Sequence, residues 1–185
     1  MLARLWKWAK RRLFVGKGVT IGRDFQLGIL SYISAARQLA IGDHVYVGKF
    51  CSIQCSGTIG NGVLIANNVG IVGRRDHDMR SVGVLIRQAP WVGDTARIAD
   101  DPKSWIAIHD DVWIGYGSVL LSGIIVGRGA VVAAGSVVFD DVAPYAVVAG
   151  NPARPISMRF TPDQIAAHER ILSDRAFSGG KQASG

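Results

Sequence analysis

The stretch IAIHDDVWIGYGSVLLSGIIVGRGAVVAAGSVVF, residues 106–139, places an aliphatic side chain at every sixth position: Ile108, Ile114, Leu120, Val126, Val132 and Val138. Upstream the same register runs through Ile41, Val47, Ile53, Ile59, Ile65 and Ile71. A small residue stands behind most of them, at Gly42, Gly48, Gly60, Ala66, Gly115, Gly127 and Ala133. Three positions further on sit Val45, Cys51, Val63, Val69, Val112, Ser118, Ala130, Ser136 and Val142, again small or β-branched. Neither the helix period nor the strand period buries one aliphatic residue in six. A short strand followed by a bend does. Each hexad is then one side of a prism, three hexads make a coil of roughly 18 residues, and coils stack as parallel strands about 4.8 Å apart. One coil alone leaves its aliphatic side chains wet; stacking removes them from water. Glycine at the bend is expected to supply positive φ. Ile21, Leu27, Ile33 and Leu39 keep the spacing in a shifted frame and read as the first coil. An ordinary sandwich of short strands does not hold such a register.

The organisation follows from where the register starts and stops. Residues 1–18 read as a basic N-terminal cap, with a helix over 1–14 that sets Leu2, Leu5, Trp6, Ala9 and Leu13 on one face and Arg4, Lys7, Lys10, Arg11 and Arg12 mostly elsewhere. Such a helix closes the end of the prism or lies on an anionic membrane surface. The solenoid spans 19–156, broken over 74–105 by RRDHDMRSVGVLIRQAPWVGDTARIADDPKSW, a polar and charged excursion without hexads. Gly150-Asn151-Pro152-Ala153-Arg154-Pro155 ends the repeat in a turn. Thr161-Pro162-Asp163-Gln164 carries an N-cap, a proline at the first helical position and a capping-box glutamine, which starts a helix within 157–177 that runs to about Ser173. The Gly/Ser-rich segment 178–185 reads as a disordered tail.

The chain has 185 residues and a net charge of +7. Nucleic acid, a membrane surface or a polyphosphate ligand would each suit that charge. No aromatic-basic repeat or groove-entering helix motif accompanies it, so nucleic acid is the weakest of the three. No apolar run approaches the ~18 residues of a spanning helix, and no secretory signal is read at the N-terminus. Cys51 and Cys55, the only cysteines, read as packed free thiols. A cytoplasmic protein is expected, with contact to the inner face of a membrane left open.

Of the four histidines, His44 lies on a coil face, His168 in the C-terminal helix and His109 at a corner where neighbouring repeats place a small residue. His77, in Arg74-Arg75-Asp76-His77-Asp78, lies just inside the excursion. An imidazole on a loop leaving a rigid scaffold suits acid–base work near neutral pH. The local sequence fits a surface histidine in a charged loop equally well.

The repeat, the excursion and the last turn together resemble the hexapeptide-repeat, or left-handed β-helix, acyltransferases over residues 19–156. The most specific segments are Asp111-Val112-Trp113-Ile114-Gly115, Val132-Ala133-Ala134-Gly135-Ser136-Val137 and Ala149-Gly150-Asn151-Pro152-Ala153-Arg154. The chain looks most like the sugar O-acetyltransferases of that superfamily, including those of bacterial envelope polysaccharide synthesis. The left hand of the coil is implied by the resemblance alone. So is direct acetyl transfer from acetyl-CoA to a sugar hydroxyl, with His77 as general base and no covalent enzyme intermediate or metal. The resemblance places Tyr116 and Ala134 along the pantetheine groove, the Phe139 backbone on the cofactor and Arg154 near its phosphates. Relatives often carry a lysine where this chain has Asp140, so Arg128, Arg159 or a neighbouring subunit's arginine is expected to compensate. A homotrimer with sites at subunit boundaries is implied. Asp78 and Trp91 are candidates to touch the acceptor, by hydrogen bonding and ring stacking. The alternatives are an N-acetyltransferase of an amino sugar, a serine acetyltransferase, a γ-type carbonic anhydrase built on His77 and His109, and a non-catalytic scaffold. The anhydrase needs a third histidine on one metal, and Asp110, Asp111 and Trp113 stand where it would fall.

Overall fold

The computed structural model describes residues 14–93 and 101–178; the expected basic helix, apart from Phe14, and the tail beyond Ser178 lie outside these residues. Three parallel sheets surround one apolar axis, and the chain visits them in rotation. Face one holds β1 (Val19–Ile21), β4 (Leu39–Ile41), β7 (Ser56–Ile59), β10 (Trp105–Ile108) and β13 (Ile124–Val126). Face two holds β2 (Gln26–Leu27), β5 (Tyr46–Val47), β8 (Leu64–Ile65), β11 (Trp113–Ile114), β14 (Val131–Val132) and β16 (Ala146–Gly150), one strand from each of six coils. Face three holds β3 (Tyr32–Ser34), β6 (Ser52–Gln54), β9 (Gly70–Val72), β12 (Val119–Leu121) and β15 (Val137–Val138). Trp113 pairs with Val131, 18 residues on, which is the expected coil.

The hexad side chains point to the axis. Ile33, Ile53, Ile71 and Leu120 on face three, and Val47, Ile65, Ile114 and Val132 on face two, are fully buried. Each such side chain contributes ~1.5–3 kcal/mol by leaving water. Where faces two and three meet, the small residues are tied to the adjacent coil: Ser31 Oγ donates to Gly48 O (2.6 Å), Cys51 Sγ to Ala66 O (3.0 Å) and Ser118 Oγ to Ala133 O (3.0 Å). Both cysteines are buried and free, and burial pushes the Cys51 thiol pKa up.

The expected reason for the corner glycines needs correction. A Cβ on Gly60 would stand 2.6 Å from the Asp110 nitrogen of the next coil, so glycine there supplies space, not positive φ. The left-handed residue comes two positions later, at His44, Gly62, Asp111 and Gly129 on one corner and Phe50, Asn68, Gly117 and Gly135 on another.

The corner between faces one and two is laced by side chains. Asp43 accepts from Arg23 N (2.7 Å), Asn61 from Asp43 N (2.8 Å) and Asp110 from Asn61 N (2.7 Å). Arg128 then joins Asp110 (3.0 Å) to Glu169 (2.6 Å) on α1 (Pro162–Ser178). Tyr145 donates its hydroxyl to the same Glu169 carboxylate. Asp111 receives Arg159 (2.7 Å) and His168 (3.0 Å). The capping box forms as expected, with Thr161 N donating to Gln164 Oε1 (2.9 Å) and Gln164 N to Thr161 Oγ1 (3.3 Å). The helix outruns its expected end at Ser173. The Gly150–Pro155 turn is the bend of a hairpin: β17 (Ala153–Met158) returns antiparallel along β16, through a cis Asn151–Pro152 peptide. Among the described residues no helix is long and apolar enough to cross a membrane.

Candidate functional site

The corner between faces three and one opens once, between β9 and β10. Leu120 of β12 pairs with Ile71, 49 positions back instead of 18. The excursion ends one residue earlier than expected, because Trp105 opens β10 and pairs with Ser56. Its neck is closed by the coil below. Arg74 N donates to Ser122 Oγ (2.9 Å), and the same hydroxyl donates to Lys103 O (2.7 Å), so one buried serine holds both ends. Arg74 Nε donates to Ser122 O (3.0 Å) and Nη2 to Phe139 O. Arg75 pairs with Asp101 (2.8 Å).

Beyond the neck the chain forms a two-stranded arm. His77 bridges Trp91 antiparallel, Asp78 N donates to Pro90 O (2.8 Å), and Val92 N donates to Asp76 O (2.8 Å). Asp78 is taken up by the bend: its carboxylate accepts from Arg80 N (3.0 Å) and Ser81 Oγ (3.0 Å). A 3₁₀ turn at Ile86–Gln88 leads to Ala89, which is buried. The tip is less polar than expected, with Met79, Val82, Leu85 and Ile86 exposed.

His77 Nδ1 lies 2.9 Å from the Ala89 carbonyl oxygen. A carbonyl only accepts, so Nδ1 is the donor, and whenever the ring carries a single hydrogen Nε2 is the nitrogen with the lone pair. Asp76 Oδ1 is 3.9 Å from Nε2, too far for a hydrogen bond. Trp91 stands edge-on to the imidazole, ring centroids 5.4 Å apart at 88°. The side chain is about one-third exposed (32%) and lines a cavity of about 470 Å³ with Arg74, Arg75, Asp76, Asp78, Met79, Arg80 and Val92. A second cavity of about 560 Å³, walled by Ser34–Ala36, Gln54, Cys55, Val72 and Gly73, also involves Arg75, Asp76 and Trp91.

The other candidates fall in two groups. Tyr116 and Ala134 sit one above the other where faces two and three meet, with Gly135 N donating to Tyr116 O (2.8 Å). Phe139 lies past the far end of β15, beneath Arg74. Arg154 pairs with Asp140 (3.0 Å) and donates to Ala153 O (2.9 Å). Asp140, which stands where a lysine was expected, is therefore the partner of Arg154. Arg128 and Arg159 are engaged with Glu169, Asp110 and Asp111 on a different corner. His44 and His109 lie on that corner too, away from His77. Among the described residues no group of three or more His, Cys, Asp or Glu side chains could hold a metal. Sequence reasoning missed Ala89, whose role is a backbone carbonyl, and the Arg74–Ser122 staple, whose two residues stand 48 apart.

Residues 106–140 match the bacterial transferase hexapeptide (six repeats) family. A chloramphenicol acetyltransferase of Klebsiella aerogenes is 36% identical over 123 residues, 66% of this chain and 55% of that protein. The chain thus spans little more than half the length of the first curated relatives it matches. A hexapeptide-repeat acetyltransferase of Vibrio cholerae O1 biovar eltor, solved with acetyl coenzyme A, superposes with TM-score 0.61 at 28% identity, covering 87% of this chain and 80% of that one. A maltose O-acetyltransferase from Clostridium difficile 630 gives TM-score 0.62 at 25% identity, covering 84% and 75%.

Proposed function

We propose that this member of the hexapeptide-repeat superfamily transfers an acetyl group from acetyl-CoA to a hydroxyl of a sugar or polysaccharide precursor, with His77 as general base. The observation that carries the reading is the Nδ1–Ala89 contact, which leaves Nε2 free on a ring that lines an open cavity. The acceptor hydroxyl gives its proton to Nε2 as its oxygen attacks the thioester carbon. The C–S bond then breaks, and the proton on Nε2 passes to the departing thiolate. The Ala89 carbonyl stabilises the imidazolium formed between these steps. Proton removal of this kind contributes about 10²–10⁴ in rate. Tyr116, Ala134 and the Phe139 backbone would hold pantetheine. Arg154 reaches a phosphate only by loosening its contact with Asp140, which makes donor affinity a sensitive property of this chain.

A homotrimer completes the reading. Tyr46, Leu64 and Trp113 are stacked in register on the outside of face two, and Phe50 and Tyr116 stand exposed at its edge. A column of apolar surface on a rigid prism wants cover, and a second copy supplies it while enclosing a groove. Trp91 offers the acceptor a ring; with the expected Asp78 carboxylate taken up by Arg80 N and Ser81 Oγ, the exposed Asp76 offers a carboxylate in its place. The 36% likeness to a chloramphenicol acetyltransferase favours a second reading, an apolar small-molecule alcohol lying against the arm.

The test is thiol release from acetyl-CoA with sugars, nucleotide sugars and chloramphenicol as acceptors. His77→Ala is expected to lower kcat by about 10²–10⁴ with little change in melting temperature. Unchanged turnover in that variant would remove His77 from the mechanism. Turnover with amines alone would move the activity to N-acetylation.

A further inference from the structure

We infer that Arg74 is a positioning residue for His77, locking the arm to the same corner turn that carries Phe139. The inference rests on the proposed role of His77, but the geometry can be tested apart from it. In regular coils a corner is held by backbone and corner side chains of the next coil, as Asp43, Asn61 and Asp110 illustrate. At this corner the chain leaves the column, so backbone pairing with the next coil stops at Ser122 N to Val72 O (2.8 Å) and one further bond runs from Arg74 N to Ser122 Oγ (2.9 Å). The Arg74 side chain continues it. Nε takes the Ser122 carbonyl and Nη2 the Phe139 carbonyl, which belong to two successive coils. Only a planar fork of several donors serves two carbonyls in fixed directions; lysine presents a single point of charge on a flexible stem.

His77 lies three residues further along. Arg75 is held by Asp101, and the Asp76 carbonyl is held by Val92 N, so little slack separates the guanidinium from the imidazole. Ala89, which selects the ring tautomer, sits on the opposite strand of the same arm. Arg74 belongs to the His77 strand alone, so freeing its fork lets that strand slip against the Ala89 strand and moves the ring relative to the carbonyl as well as to the column. Phe139 is the residue whose backbone is assigned to the donor, so the Arg74 contact joins the donor turn to the base. Misplacement of a catalytic group by about 1 Å costs on the order of 10² in rate.

The experiment is long-range proton–nitrogen NMR on protein labelled with 15N-histidine, with the His77 signals identified from their loss in His77→Gln. Wild type should show the Nδ1–H tautomer. Arg74→Gln should move both ring nitrogens toward the exchange average, and Arg74→Lys should restore the wild-type pattern only in part, with circular-dichroism melts like wild type for both. In thiol-release assays Arg74→Gln should lose roughly 10- to 100-fold in kcat. His77 signals identical to wild type in Arg74→Gln would overturn the inference; should Arg74→Gln fold poorly, identical signals in Arg74→Lys would overturn it instead. A wild type that acetylates nothing, yet whose tautomer responds to Arg74, would sink the proposed activity and leave the positioning role standing.

Discussion

Two corners of the same prism are built on opposite plans. Between faces one and two four successive coil junctions are bridged by side chains, and α1 is bolted on through the Arg128–Glu169 and Asp111–His168 pairs. Between faces three and one the ladder is interrupted, and the excursion is held by Arg74, Ser122 and the Arg75–Asp101 pair. The first corner repeats a contact; the second uses contacts that occur once. A repeated contact stiffens the column. A unique one frees a short ribbon to present an imidazole, while the column fixes where the ribbon starts.

The sharpest way to break this contrast is to empty the column and trim the arm. Ile114, fully buried at the centre of face two, should cost about 2–5 kcal/mol on change to alanine, because the coils on either side cannot collapse into the hole. Leu85→Ala and Ile86→Ala at the exposed tip should stay within about 0.5 kcal/mol. Urea unfolding midpoints read both. Equal losses would mean that the arm belongs to the packed core and the contrast is wrong.

A finer comparison lies within one corner. Gly60→Ala forces a methyl against the Asp110 backbone at 2.6 Å and should cost about 1–3 kcal/mol. Gly62→Ala meets nothing within 4 Å but must hold φ near 65°, at a cost of about 1 kcal/mol. Gly62→Asn should recover part of that loss, since Asn68 already occupies the same conformation one corner along. Reversal of the order, with Gly62 the costlier site, would show that strain and not interlayer space limits the corners.

What was legible in the sequence divides along the same line. The hexad aliphatics reported the coils because burying one side chain in six has few geometric solutions, and a rule applied a dozen times over becomes visible. The helix start was legible through Thr161 and Gln164, a local contact. The arm obeys no period. His77 could be placed on it, yet the group orienting its ring is a carbonyl that any residue at position 89 would offer, so no side chain signals it. Asp140 was visible as a departure, but its effect on Arg154 needed the hairpin that brings β17 back along β16. The corner glycines were misleading because sequence shows which residue is small and not whether the crowding is within its own backbone or against the next coil.

The smallest expected effect tests whether the α1 anchor is electrostatic. The Arg128 guanidinium, joined by the Tyr145 hydroxyl, holds the Glu169 carboxyl below the usual range. A carboxylate with a lowered pKa in the folded chain stabilises it above the unfolded value of about 4.3 and loses that contribution as pH falls through the folded value. Glu169→Gln should therefore be less stable than wild type at neutral pH and equal to it in acid. The gap should be under about 1 kcal/mol, because Glu169 and Arg128 are both partly exposed and salt screens them. It should also shrink at high ionic strength. The second anchor limits the damage, since Arg159 and His168 still reach Asp111. Melting midpoints of the two proteins across pH 3 to 7 measure the gap. A gap that stays constant with pH and salt would assign Glu169 a packing role, and the corner would then owe its stiffness to shape and not to charge.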